Sequence, residues 1–156
     1  MGEDATTITM TPIGHVRSPH RDVADVPKGP RAEHTAEGVL ELRGELEPGL
    51  LDVEGFSHLY VLWMFDRSHG AELVGEVPLD PGRLHGVFAS RSPWRPNPIG
   101  LTVVELLGRD GPRLRVRGLD MTDGTPILDI KPYLSGVPAE KLRRGWVGEA
   151  ERTRRA

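Results

Sequence analysis

IGLTVVELLGRDGPRLRVRGL, residues 99–119, holds two strand patterns joined by a turn. The run 101–107 is β-branched in its first half and stops at Gly108. Arg109-Asp110-Gly111-Pro112 then reverses the chain into 113–119, where Leu114 and Val116 alternate with Arg113, Arg115 and Arg117. Strict alternation across a Gly-containing turn predicts a β-hairpin with one wet face. Working outward, residues 8–16, 38–43, 58–65, 84–89 and 127–133 also read as short strands bounded by turn chemistry. SHLYVLWMF, residues 57–65, is apolar enough to predict burial on both faces. Short helices are expected near 48–53 and 139–144. Seven or so strands with so few helices predict an all-β fold, a single small β-barrel with short peripheral helices. The expected organisation is a flexible N-terminus (1–8), one barrel domain (9–138), and a short helix with a basic tail (139–156). No internal repeat or linker divides the chain.

Composition narrows the chemistry. The chain has 156 residues, one domain's worth, and 33 of them are Gly or Pro, which disfavours long helical bundles. The absence of cysteine excludes a disulfide scaffold, a thiolate metal site and a cysteine nucleophile. No apolar run is long enough for a membrane span and the first ten residues carry no export signal, so the cytoplasm is expected and no membrane partner. The net charge is −3, yet residues 139–156 carry six Lys/Arg against three Glu. Residues 81–104 hold no acid at all but contain Arg83, His85, Arg91 and Arg95, a local electropositive surface suited to a carboxylate or phosphate.

Two segments concentrate the chemistry. In GVFASRSPWRPNPIG, residues 86–100, three prolines within six residues fix φ repeatedly and restrict the residue before each. A stiff loop bearing Arg91, Arg95 and Asn97 suits side chains held ready for a ligand. In GLDMTDGTPILDIKPY, residues 118–133, Asp120 and Asp123 bracket a turn closed by Gly124. Asp129 and Lys131 alternate with Leu128 and Ile130, so both point to one face of a strand, where they either pair or form a polar floor with Tyr133. No dinucleotide or phosphate-binding glycine motif, no metalloprotease His spacing and no serine-hydrolase elbow occurs. The six histidines show no ligand spacing, so no metal is expected.

These two segments resemble the signature blocks of the TrmO/TsaA-like (YaeB-like) family of S-adenosylmethionine-dependent methyltransferases. Residues 13–19 (IGHVRSP) and 54–59 (EGFSHL) resemble its opening and central strands. The resemblance covers about 9–134 and implies a non-Rossmann β-barrel, S-adenosylmethionine as cofactor, and a homodimer with the cofactor near the subunit junction. It implies N6-methylation of threonylcarbamoyladenosine in tRNA. A small-molecule acceptor and a non-catalytic adenosyl-ligand sensor are the alternatives. Implied cofactor contacts are Arg91, Leu101, the turn 120–125, Asp66, Arg67 and the Pro27-Lys28-Gly29 loop. Many family members instead carry Pro-Arg-Gln at the last of these, and His-Gln where this chain has Asp66-Arg67.

The chemistry of the donor fits these residues. An arginine can grip its carboxylate bidentately, a role for Arg91. Asp120 or Asp123 would accept from the ribose hydroxyls or face the sulfonium. Backbone groups of Phe88, Ala89, Met121 and Thr125 would meet the adenine edge. Asp129, Lys131 and Tyr133 are the candidate base or proton relay, with Asn97 beside them as the fourth catalytic candidate.

Overall fold

The computed structural model describes residues 6–28, 32–134 and 136–155. Eight strands and one α-helix follow in order: β1 (Gly14–Arg17), β2 (Glu37–Leu42), β3 (His58–Met64), β4 (Val74–Val77), β5 (Asp80–Gly86), β6 (Ile99–Asp110), β7 (Arg113–Arg117), β8 (Pro126–Pro132) and α1 (Gly145–Arg155). Six of the strands close an antiparallel barrel in the order β1-β2-β7-β6-β3-β8, and β4 and β5 form a separate ribbon. The all-β barrel predicted from the hairpin is the observed architecture.

That hairpin is β6–β7, with Asp110 opposite Arg113 across Gly111-Pro112. Gly111 sits at φ +60, the left-handed value a tight hairpin turn requires, and Pro112 fixes the next φ. β6 works in two parts: residues 99–105 pair with β3, and Glu105, Leu106 and 108–110 pair with β7 across a bulge at Leu107, so that Glu105 serves both. Closure is made by β1 and β8, whose register sets Gly14 opposite Ile127 and His15 opposite Pro126. Inside lie Val16, Leu40, Leu59, Val61, Trp63, Val104, Leu114, Val116, Leu119, Met121 and Ile127, which form the core.

Several sequence expectations are corrected. Residues 58–64 are buried on one face only: Leu59, Val61 and Trp63 point inward while Met64 stays exposed and Tyr60 and Leu62 are half-buried. The first strand begins at Gly14 and not at residue 8. The helix expected near 48–53 is a 3-10 segment at Gly44–Leu50 followed by a 3-10 turn at Val53–Gly55, because Pro48 lies inside it. At the C-terminus, residues 139–141 form a single 3-10 turn, and the segment read as a basic tail is the α-helix. Of the N-terminal segment expected to be flexible, residues 1–5 lie outside the described residues.

Candidate functional site

β1, β3 and β7 end, and β2, β6 and β8 begin, at the same end of the barrel. The loops gathered there are 18–36, 65–73, 87–98 and 118–125, which carry most of the residues singled out from the sequence.

The centre of this end is a polar chain that starts in the core and ends at a half-buried carboxyl. Gly100 has room for no side chain, since a Cβ there would lie 2.2 Å from the Trp63 ring. The ring therefore packs flat against the β6 backbone, and its Nε1–H donates to Thr102 Oγ1 at 3.0 Å. The Thr102 hydroxyl in turn donates to Asp120 Oδ1 at 2.5 Å. Burial pushes the Asp120 carboxyl above the usual carboxylate range; the Thr102 hydrogen bond and the fields of His34 and Arg91 oppose that rise. Asp120 is thus a carboxyl held in one orientation, with a guanidinium and an imidazole close enough to act on it.

The turn after Asp120 is sewn to β1. Ser18 N–H donates to Asp123 Oδ1 (3.0 Å), Asp123 N–H to the His20 carbonyl (2.8 Å) and Gly124 N–H to the Val16 carbonyl (2.7 Å). Thr125 hydroxyl and N–H both donate to the Thr122 carbonyl, and its own carbonyl accepts from Val16 N–H. Met121 lies in the core. Thr125 and Met121 therefore build the turn, and the backbone groups of Thr125 expected at an adenine edge already have partners within the fold. Two ring nitrogens, His20 Nε2 and His34 Nδ1, are buried with no protein partner among the described residues. Both histidines stand on the segment 18–36 beside this turn, and buried polar atoms of that kind are ordinarily hydrogen-bonded, to protein or to ordered water.

The proline loop is braced from within. Arg95 Nη1 donates to the Ser90 and Ser92 carbonyls at 3.0 and 3.2 Å, so Arg95 shapes the loop. Arg91 projects outward from it, and Phe88 is 79% exposed. Asn97 is exposed at the entry to β6. Asp66 and Arg67 are exposed after β3, with Arg67 Nη1 donating to the Arg21 carbonyl. Pro27 and Lys28 are exposed on the 18–36 loop, and Gly29 lies outside the described residues.

Three expected catalytic residues are elsewhere. Lys131 Nζ sits 3.3 Å from Asp129 Oδ2, so the two pair on the outer face of β8. They lie opposite Tyr60 and Leu62 of β3. Tyr133 packs edge-on against Tyr60 at 5.2 Å, toward the far end of the barrel. At about 3.3 Å per residue, Lys131 and Tyr133 are roughly 20 and 26 Å along the strand from Thr125. One subunit does not bring them to Asp120. Sequence reading missed His34, Thr102 and the indole of Trp63, whose connection to Asp120 depends on closure of the barrel.

The family described as the tRNA-methyltransferase O N-terminal domain matches residues 15–138. This chain belongs to that family. A probable S-adenosyl-L-methionine-binding protein of Archaeoglobus fulgidus is 46% identical over 145 residues, covering 92% of this chain and 39% of that protein. The tRNA (adenine(37)-N6)-methyltransferase of Escherichia coli is 39% identical over 133 residues, covering 78% of this chain and 56% of that one. The crystal structure of TrmO from Pseudomonas aeruginosa superposes with a TM-score of 0.74 at 34% identity, over 91% of this chain and 62% of that one. The chain thus spans between about two fifths and two thirds of these relatives. Within the family domain, the Asp120 network and the proline loop both fall in the matched span, whereas α1 lies beyond it.

Proposed function

We propose that this chain is an S-adenosylmethionine-dependent methyltransferase acting on N6 of an adenosine in tRNA, with threonylcarbamoyladenosine as the acceptor. The observation that carries the reading is the half-buried Asp120 carboxyl, held by the Thr102 hydroxyl and reached by the field of the exposed Arg91 cation. The donor pairs a cationic sulfonium and ammonium with a carboxylate, and one fixed acid beside one outward-pointing arginine is complementary to that pattern. When bound, the donor supplies an electrophilic methyl group. The protein's part is to align it with the incoming nitrogen and exclude water, since in-line displacement depends mainly on positioning. Arg91 is exposed, so solvent screening keeps its contribution at the low end for a charge-assisted bond. Arg91→Ala is expected to weaken donor binding about tenfold in calorimetry, equivalent to about 1.4 kcal/mol.

The acceptor is tested by incubating the protein and labelled donor with bulk tRNA, followed by nucleoside mass spectrometry. Label on threonylcarbamoyladenosine is the expected result. Donor binding without label in tRNA would replace the acceptor with a small molecule, and donor binding without transfer to any acceptor would leave a sensor.

The same reading makes the protein a homodimer. Met64, Ile99, Leu101 and Val103 each keep between 38% and 45% of their surface exposed. They lie side by side on the outer face of β3 and β6, as the pairings Met64–Ile99 and Tyr60–Val103 require. An apolar strip of that kind on a small barrel suits a two-fold partner. Val103→Asp is expected to raise the dimer dissociation constant at least tenfold in sedimentation equilibrium. A wild-type chain that is monomeric at micromolar concentration and still binds donor fully would remove the dimer from the proposal.

A further inference from the structure

The C-terminal helix holds the segment from which Arg91 projects. Trp146, in its first turn, donates its indole N–H to the Ala89 carbonyl at 2.8 Å. Its ring stacks on His85 with centroids 4.0 Å apart and planes 20° from parallel. His85 is fixed in turn by Asp80, whose Oδ2 is 2.8 Å from Nε2. Farther along the helix, Arg154 donates to the Pro78 carbonyl at 2.9 Å, and Leu79 and Ala150 are both buried where ribbon and helix meet. Arg144 clasps Glu151 with two bonds of 2.6 and 2.9 Å, tying the helix to the strand of chain that leads into it. Ala89 ends the 3-10 turn Val87–Ala89, two residues before Arg91. On its other flank that turn is held by Val87 N–H donating to the Leu73 carbonyl.

We infer that α1 is a strap for the donor loop, with Trp146 as a positioning residue that sets residues 87–91 in the conformation from which Arg91 meets the donor. The inference rests on the donor-binding reading above. A helix outside the family's matched span then tunes a contact within it.

Trp146→Phe tests this, because phenylalanine keeps a ring over His85 and removes the N–H. Its dissociation constant for S-adenosylmethionine by calorimetry is expected to rise roughly three- to tenfold, the range for one lost hydrogen bond. The donor KM should rise in step, with kcat at saturating donor unchanged. Amide hydrogen exchange without ligand should quicken at 88–92 and stay constant in β6. Trp146→Ala, which also removes the stack, should weaken binding further. Wild-type affinity in Trp146→Phe, or exchange that quickens equally in β6, would overturn the strap. Failure of the wild-type chain to bind S-adenosylmethionine would instead overturn the donor reading beneath it.

Discussion

Asp120→Asn is expected to weaken donor binding by roughly 10- to 100-fold while making the protein more stable at neutral pH. The first effect follows from removing the fixed negative charge opposite a cationic ligand, with charge-assisted contacts worth about 1.5–3 kcal/mol. The second follows from burial. The native carboxyl ionises at higher pH than its unfolded counterpart, so the folded state holds its proton more tightly. Stability associated with that proton is present below the unfolded value and is lost as pH rises through the folded one. Asparagine carries no such dependence and still accepts from Thr102. Melting curves of variant and wild type should therefore converge in acid, below the usual carboxylate range, and separate above it with the variant higher. A variant that melts below wild type at neutral pH would mean that the Asp120 charge supports the fold and is not held in reserve for a ligand.

Gly100→Ala is expected to lower the melting temperature by about 2–12 °C. The added methyl would lie 2.2 Å from the Trp63 ring, and two more of its atoms are within 2.5 Å. Overpacking of this kind costs about 1–3 kcal/mol, and a domain of this size loses about 2–4 °C per kcal/mol. The ring cannot retreat without giving up its bond to Thr102, so donor affinity should fall together with the near-ultraviolet circular dichroism of the tryptophan. An unchanged melting temperature would show that the ring has space to move, contrary to the packing described.

The hairpin at 99–119 was legible because its signals are local: alternation, a Gly-Pro turn and β-branched residues. Strand β4 was not, since VGEV has little apolar character and exists only through its pairing with β5. The helix at the C-terminus was hidden by Gly145, Gly148 and three late arginines, which read as a solvated tail; Trp146 finds its partners far away in sequence, at His85 of the ribbon and Ala89 of the turn that follows it. In the site, Asp120 and Arg91 stood out by composition and loop stiffness. The chain Trp63–Thr102–Asp120 did not, because its members lie 39 and 18 residues apart. The Asp129–Lys131 alternation correctly placed two charges on one face, but alternation says nothing of which end of the strand faces a ligand.

The seam between β1 and β8 has a kinetic consequence. Its two pairings join positions more than 110 residues apart in a chain whose hairpin forms from neighbours. Non-local closure is the slow step in β-rich folding, and sparsely paired elements are the first to open under native conditions. The 120–125 turn is fastened across this seam, through Ser18, His20 and Val16. If the donor immobilises Asp120 as proposed, it also latches this long-range joint of the barrel, and occupancy of the site and resistance of β1 to local opening should rise together.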